Sequence, residues 1–300
     1  MQLNKELDKN LLHLAWSLWT ELGVAGVKQN HQNVLILVEE LIIFTSVLSE
    51  MDPRLRDESM DWCSQFHHFV SVSRLKSLMK NFKGLAEEPF SKYASSLNRL
   101  SKINWPIFTE SIELNVHLSG KSVLRPQASA ALLNIRARSL FGTGARADLL
   151  TFFLVRPEIN FSIAEAAEIG YSKRNLAEVL DDLYFIRLFD LSMQGNQKRY
   201  SLNKDNPLFK ILQPMPGNAP SWHLIFKVLL TLRSCFRRIE NYSESTQVVE
   251  LRNCFKEQAK LFQKLKLIPP PFLQNFENYL KNVSQWVLEW TDSLANGQSF

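Results

Sequence analysis

Residues 162–176 read SIAEAAEIGYSKRNL and contain the clearest structural signals in the sequence. Ser162 followed by Glu165 is a capping box, in which two side chains satisfy the first amide donors of a helix. Gly170 tolerates the left-handed conformation in which helices commonly end. A second helix starts at residues 171–172. The stretch therefore predicts two helices that cross at a steep angle through a tight turn.

Apolar residues on either side of this turn support the crossing. Ala166 is small enough for a close approach, and Ile169, Leu176 and Val179 supply a shared core. Upstream, an additional helix contains Leu149, Leu150 and Phe153 and is ended by Arg156-Pro157, because proline lacks the amide donor that a helix requires. We expect three helices in succession between residues 145 and 185.

A β-hairpin is predicted directly after the third helix. Ile186–Leu191 is rich in β-prone residues, and Lys198–Leu202 can pair with it. Gln194, Gly195 and Asn196 lie between the two segments as the turn. The order helix, helix, helix, hairpin is that of a winged helix.

At this point the chain resembles a known family. Residues 162–176 are similar to the helix-turn-helix of bacterial winged-helix transcription regulators, and the resemblance covers residues 145–202, about a fifth of the chain. It implies sequence-dependent binding of duplex DNA in transcriptional control.

The resemblance places the first turn of the third helix in the major groove. Its residues there are Ser172, Lys173, Arg174 and Asn175. Lysine and arginine can donate to guanine, asparagine can pair with adenine, and a serine at a helix start suits a phosphate.

Additional contacts are expected outside this helix. Gln197, Lys198 and Arg199 on the hairpin would hold the flanking backbone or the minor groove, and Arg146 is a phosphate candidate. The acidic pair at residues 181–182 is expected to point away from the contact end.

A second interpretation is a protein-interaction adaptor whose winged helix docks on a partner protein. A continuous positive strip over Arg146, Lys173, Arg174 and Arg199 would favour DNA, whereas a mixed or apolar strip would favour the adaptor. An enzyme is a third and more distant alternative, because no catalytic motif is present. No cofactor, catalytic residue or metal ligand is predicted; Cys63 and His67, four residues apart, are too few for a metal site.

The fold class predicted is mainly α, with a helical N-terminal module at 1–120, the winged helix at 121–204 and a helical module at 205–300. Residues 1–120 contain 12 Lys and Arg and 14 Asp and Glu. The corresponding counts are 12 and 8 for residues 121–204, and 11 and 8 for residues 205–300. The basic excess thus lies in the second and third parts, which is compatible with binding a polyanion. Polar linkers are expected at Gly84–Glu88 and Gly120–Gln127.

The C-terminal helices are expected to form a homodimer. The predicted seam alternates steps of four and three, as helix–helix contacts do. It consists of Phe276, Leu280, Val283, Val287 and Trp290.

The acidic N-terminal module is expected to bind a protein partner or a small ligand. Trp16, Trp19, Trp62 and His67 are the residues expected near such a pocket. The longest apolar run is too short to cross a bilayer, no secretory signal is recognisable, and the three cysteines share no close spacing. A cytoplasmic protein that does not bind membranes is therefore expected.

Overall fold

The structure of the chain is a computed structural model that describes residues 2–26, 30–110, 112–125 and 129–298. These residues are mainly helical and contain one antiparallel two-stranded sheet, which confirms the predicted fold class. The helices are α1 (Gln2–Glu21), α2 (Val38–Leu48), α3 (Pro53–Phe66), α4 (Val72–Met79), α5 (Glu87–Ser101), α6 (Leu133–Phe141), α7 (Ala145–Leu154), α8 (Ile163–Ala166), α9 (Lys173–Phe185), α10 (Leu208–Ile211), α11 (Trp222–Ile239), α12 (Glu244–Lys264) and α13 (Phe276–Ala295). The strands are β1 (Phe189–Gln194) and β2 (Gln197–Leu202).

The first helices form where local signals place them. Asp52 caps α3 by accepting hydrogen bonds from the amides of Arg54 and Leu55, and Pro53 occupies the first helical position, where its missing donor costs nothing. The apolar residues Leu11, Leu14 and Leu18, spaced by three and four residues along α1, are buried, and Gly23 follows the helix at φ +91°. Helix propensity and capping therefore agree with the burial pattern in this part of the chain.

Helix α2 is the most apolar element and is buried on nearly every side. The apolar run Val34–Leu48 is not helical throughout: the helix begins at Val38, and Leu37 before it has an extended backbone. Val34 forms an isolated bridge with Asn218, and this pairing competes with the helical conformation. Among the described residues, no helix combines the length and apolarity needed to cross a membrane.

Two hydrophobic cores divide the described residues. The first, which we call the body, is built from α1–α5 and α11–α13. Asn10 of α1 donates to Thr291 Oγ1 of α13 at 3.0 Å, and the two helices pack along each other. Helices α1–α5 of the region 1–120 and α11–α13 of the region 205–300, expected in separate modules, therefore share one core.

The seam expected to form a homodimer is largely covered within the chain. Val283 and Val287 are fully buried, and Leu280, Trp286 and Trp290 pack against the body core. Phe276 at the start of α13 is exposed. Packing on α1 and α12 thus explains the apolar spacing that led to the prediction of a dimer.

The tryptophans expected around an N-terminal pocket fill the body core instead. The rings of Trp19 and Trp62 meet edge to face at 5.7 Å. Their indole N–H groups donate to Thr45 Oγ1 and to the carbonyl oxygen of Leu22. Trp16 is half-buried and donates to Asp52, while His67 is exposed. Trp19 and Trp62 therefore stabilise the fold from within the core.

The second core, which we call the winged unit, contains α7–α10 and the β1–β2 hairpin, together with the inner side of α6. Phe153 lies at its centre and contacts the rings of Phe161 and Phe189. Side chains of α2 and α4 in the body contact this unit: Glu39 pairs with Arg138, and Arg74 donates to the carbonyl oxygen of Ile169.

Of the two predicted polar linkers, the first ends inside a helix and the second is only partly described. Glu87 and Glu88 of the Gly84–Glu88 stretch belong to the first turn of α5, where acidic side chains favour the helix dipole. Residues 120–125 form neither helix nor strand and begin with Gly120 at φ +68°. Pro126 and Gln127 at the end of the second stretch lie outside the described residues.

His31 gives the body a pH-dependent stability. Its buried ring forms two hydrogen bonds: Nδ1 lies 2.7 Å from Ser17 Oγ, and Nε2 lies 2.9 Å from the carbonyl oxygen of Leu294. Since the carbonyl can only accept, Nε2 carries a proton. Ser17 Oγ already accepts from the Asn30 amide, so its hydroxyl can donate to Nδ1 of a neutral ring. Burial lowers the pKa of His31 to about 4, against 6.5 for the unperturbed group.

We expect the free energy of unfolding to fall as the pH drops from 6.5 towards 4. In that window the unfolded chain protonates its imidazole and the folded chain does not, so each pH unit costs up to about 1.4 kcal/mol. Urea unfolding of the native protein and of His31→Gln across this range measures the effect. The difference in stability between the two should shrink as the pH falls; parallel profiles would contradict the assignment.

Candidate nucleic-acid interface

The helix-turn-helix forms as the capping residues predict. The amide of Ser162 donates to Glu165 Oε2 at 2.7 Å, and the amide of Glu165 donates back to Ser162 Oγ at 3.3 Å. After α8 a 3-10 turn spans Ala167–Ile169. Gly170 then adopts φ +98°, which a residue with a Cβ atom rarely tolerates. The chain reverses there and enters α9.

Helix α9 exposes its first turn to solvent. Ser172 caps it, and its Oγ accepts a hydrogen bond from the amide of Asn175 at 3.3 Å. Lys173, Arg174 and Asn175 are exposed, and the Arg174 side chain is 91% exposed. Leu176, Leu180 and Leu183 of the same helix face the winged-unit core. The four predicted contact residues on α9 therefore lie together on one free surface.

The turn and the second strand of the hairpin form where predicted, with Phe189 opposite Leu202 and Gln194 opposite Gln197. The first strand begins at Phe189 rather than at the predicted Ile186, because residues 186–187 form the turn that ends α9. Gly195 takes φ +60° in the two-residue turn. Sequence patterns did not indicate one further contact, an isolated β-bridge in which Phe161 and Tyr200 exchange backbone hydrogen bonds of 2.9 and 2.8 Å. This bridge fixes the hairpin against the start of α8.

The acidic pair at the middle of α9 does not point away from the predicted contact residues. Asp182 accepts an ion pair from Arg146 at 2.9 Å, and Asp181 accepts one from Lys198 at 3.2 Å. Asp181 also accepts a hydrogen bond of 2.8 Å from the Tyr200 hydroxyl, which lowers the pKa of this carboxyl group. The prediction for this pair was wrong, because α7 and the hairpin bring their cations over the same face of α9.

Two further candidates are also paired. Arg174 contacts Glu178 one turn later at 3.1 Å. Arg199 is only 21% exposed, donates to the carbonyl oxygen of Asn160 and lies 3.3 Å from Glu165, so it braces the hairpin against α8. Among the described residues, Lys173 is the one predicted cation without an acidic partner. The strip over this surface is therefore mixed in charge.

A groove beside the first turn of α9 brings in residues of the body. Its volume is about 620 Å³. Its walls are Ser73, Ser77, Lys80, Gly144, Ala145, Gly170, Tyr171, Ser172 and Asn175. Lys80 is exposed and lies at the end of α4, about a hundred residues before α9 in sequence. No local sequence signal connects it with the helix-turn-helix.

A buried network of five charged side chains lies between the winged unit and the body. Its members are Glu39, Glu40, Arg74, Arg138 and Asp148. Each side chain is at most 4% exposed. Arg138 Nη1 lies 2.6 Å from Glu39, and Arg138 Nη2 lies 2.8 Å from Asp148. Arg74 pairs with both glutamates of α2.

This network holds the turn between α8 and α9. Arg74 Nε donates to the carbonyl oxygen of Ile169 at 2.9 Å, immediately before Gly170. The Tyr171 hydroxyl donates to Asp148 Oδ2 at 2.8 Å and contacts Ser71 Oγ at 3.2 Å. The first turn of α9 is thus positioned by α4 and α7 as well as by its own cap.

The three carboxyl groups of the network differ in their electrostatics. Burial disfavours ionisation of all three carboxyl groups. For Asp148 the charges of Arg138 and Arg74 and the hydrogen bonds from Arg138 and Asn134 together outweigh burial and lower its pKa to about 2. The charges of Arg138 and Arg74 likewise lower the pKa of Glu39. For Glu40 the effect of burial exceeds that of Arg74, and its pKa is raised. Three carboxylates against two guanidinium groups leave one negative charge in excess when all are ionised.

The cysteines show one pairing that spacing did not reveal. Cys235 of α11 and Cys254 of α12 are buried in hydrogen-bonding contact, which lowers the pKa of Cys235 and raises that of Cys254. Cys63 lies 3.8 Å from the Tyr93 hydroxyl in the body core. Within the described ranges, no group of three or more His, Cys, Asp or Glu residues is placed to hold a metal ion.

Comparison with known proteins gives no relatives: no family model matches the chain, and no curated protein or solved structure is significantly similar to it.

The network makes a prediction for stability. Arg74→Met would leave Glu39 and Glu40 with too little positive charge, and we expect a loss of about 3–5 kcal/mol. Glu40→Gln would instead leave two carboxylates with two guanidinium groups, and the expected loss is on the order of 1 kcal/mol. Urea unfolding of both variants measures the difference. Equal losses would show that the charge balance does not control the stability of this network.

Proposed function

We propose that the protein binds duplex DNA through the winged unit and acts as a transcription regulator. The strongest support is the exposed first turn of α9, which follows a tight glycine turn and lies beside a hairpin. In this arrangement the helix start enters the major groove and the hairpin lies along the flanking backbone.

Arg174 is the best candidate for base readout. Its guanidinium is almost fully exposed, and its contact with Glu178 lies on the helix surface. An exposed ion pair of this kind is worth about 0–1 kcal/mol, so a guanine edge can replace it. Asn175, on the same turn, offers an amide to adenine. Lys173 and Lys80 flank this turn, and both are exposed and suited to phosphate.

The ion pairs on this surface set the expected character of binding. Four of the predicted cations would exchange a carboxylate for a phosphate, so their contribution to nonspecific affinity is reduced. We therefore expect weak nonspecific binding, with most of the affinity arising from base contacts.

The second candidate function, a protein-docking adaptor, is favoured by the mixed charge of this surface and by an apolar cluster next to it. Tyr184, Phe185 and Ile186 are consecutive and exposed at the end of α9, Phe185 to 86%. An exposed aromatic of this size is typical of a protein contact. Selection of bound duplexes from a random DNA pool at about 50 mM salt distinguishes the two functions, because the adaptor would enrich none.

Removing individual cations tests the DNA contacts. Arg174→Ala should cost about 1–3 kcal/mol on the selected duplex and relax the preference at one base pair. Lys198→Ala should weaken binding to all duplexes alike and reduce the salt slope by about one. Lys92→Ala, on α5 of the body, is the matched control and should leave binding unchanged. Fluorescence anisotropy over a salt series measures all three, and uniform weakening by Arg174→Ala would refute its role in base readout.

Removing the acidic partner of a predicted contact should increase DNA affinity instead of lowering it. Asp182→Asn should release Arg146 and raise affinity for every duplex, because a phosphate then no longer competes with a carboxylate. Asp190→Asn makes the same change in net charge on exposed strand β1 without freeing a paired cation, and a smaller gain is expected. The same anisotropy titrations compare them. If both variants gain equally, only the total charge matters and Arg146 is not a contact.

A further inference from the structure

The positive charge of the chain is concentrated in the second half of helix α12 and the turn after it. Residues 252–266 contain five basic residues and one acidic residue, which gives a net charge of +4, whereas the whole chain carries +5. The basic residues are Arg252, Lys256, Lys260, Lys264 and Lys266. The rest of the chain is therefore nearly balanced in charge.

Four of these cations form a row on the free face of α12. Arg252, Lys256, Lys260 and Lys264 follow one another at intervals of four residues, which places them along one side of the helix, and all four are exposed. We call them the basic row. Its length is about 18 Å, because a helix rises about 1.5 Å per residue. The opposite face of α12 is buried in the body core and contains Val248, Leu251, Phe255 and Phe262.

Most of the basic row is not neutralised by nearby carboxylates. Among the described residues, Arg252, Lys256 and Lys260 have no ion-pair partner, and the stacking of Arg252 on the Phe272 ring does not cancel its charge. By contrast, four of the predicted cations of the winged unit have acidic partners at distances of 2.9, 3.1, 3.2 and 3.3 Å. Free positive charge is thus more abundant on α12 than on the surface around α9.

The basic row ends beside the helix-turn-helix. Lys264 lies 3.9 Å from Glu168, which precedes the glycine turn and is four residues before Ser172, the cap of α9. The row therefore starts next to the predicted DNA-contact surface and continues along the body. Since each strand of a duplex carries one phosphate per 3.4 Å or so of helix axis, the row matches the length of about five base pairs.

A lipid surface fits α12 less well than a nucleic acid does. An amphipathic helix binds a membrane by inserting its apolar face. That face of α12 is already covered, since the rings of Phe255 and Phe262 lie 6.0 and 6.1 Å from the ring of Trp286 in α13. A regular row of cations on a helix that cannot insert is suited to a polymer with regularly repeated negative charges.

We propose that the basic row of α12 binds the phosphate backbone of the duplex DNA that flanks the site read by α9. The proposal rests on the function proposed above, because α9 supplies base contacts but the winged unit has few free cations. A lysine that reaches a phosphate releases bound counterions, so its contribution depends on salt and not on base sequence. In this arrangement the winged unit selects the site, and the basic row supplies the general attraction to duplexes that the winged unit alone provides only weakly.

Binding of the full chain to a duplex of about 30 base pairs and arbitrary sequence tests the basic row without base readout. Lys256→Gln together with Lys260→Gln should weaken this binding roughly tenfold near 50 mM salt and lower the slope of log affinity against log salt by about two. Lys5→Gln together with Lys9→Gln is the matched control and should leave both quantities nearly unchanged, because these exposed lysines have the same spacing but lie on α1. Fluorescence anisotropy over a salt series measures the affinities, and circular dichroism confirms that both variants are folded.

Three results would overturn the proposal. Equal weakening by the two double variants would show that only the total charge matters. Failure of the native protein to bind the arbitrary duplex would show that the basic row does not hold a phosphate backbone. Tighter binding of the native protein to phosphatidylserine vesicles or to polyglutamate than to the duplex, lost in the Lys256 and Lys260 variant, would assign the row to a membrane or to an acidic protein.

The variant Arg174→Ala separates this proposal from the function on which it rests. It should leave the affinity for the arbitrary duplex nearly unchanged while it relaxes the preference on the selected duplex. If selection enriches no duplex but the arbitrary duplex still binds through Lys256 and Lys260, base readout by α9 fails and the phosphate contact of the basic row is supported.

Discussion

Five charged side chains buried between α2, α4, α6 and α7 restrict how the winged unit can pack on the body. Removing charges from water is expensive, and their mutual attraction offsets that cost only when the geometry satisfies nearly every donor and acceptor. Arg74 and Arg138 meet this condition through contacts from both cores. The network therefore permits few relative positions of the winged unit and the body.

This constraint explains how the first turn of α9 is both exposed and fixed. Its own cap needs only Ser172, but the preceding turn is held through Ile169 and Tyr171 by side chains of α4 and α7. The charged surface above it is nearly balanced, because α7, α9 and the hairpin alternate cations with carboxylates. A surface of that kind favours specific contacts over nonspecific attraction to a polyanion.

Local sequence signals predicted the elements well where the physical cause is itself local. A capping box involves residues three apart, a left-handed glycine involves one residue, and a hairpin needs two adjacent segments, so Ser162, Gly170 and Gly195 were readable directly. The predictions failed where partners are distant in sequence. Asp181 and Asp182 lie on α9, but the Arg146 and Lys198 side chains that cover them come from α7 and β2.

The apolar stripes illustrate the same limit. The spacing indicated that Val283 and Val287 face another helix, but it does not show whether that helix belongs to the same chain. In the structure α13 packs along α1, and both helices belong to one core. The sequence by itself determined the helices, their caps, the hairpin and the face that each buries, since these follow from periodicity and from hydrogen bonds between near neighbours. Which buried faces meet and which charges are neutralised became clear only from the packing of the whole chain. Those outcomes depend on the joint packing of segments about a hundred residues apart, which no local pattern encodes.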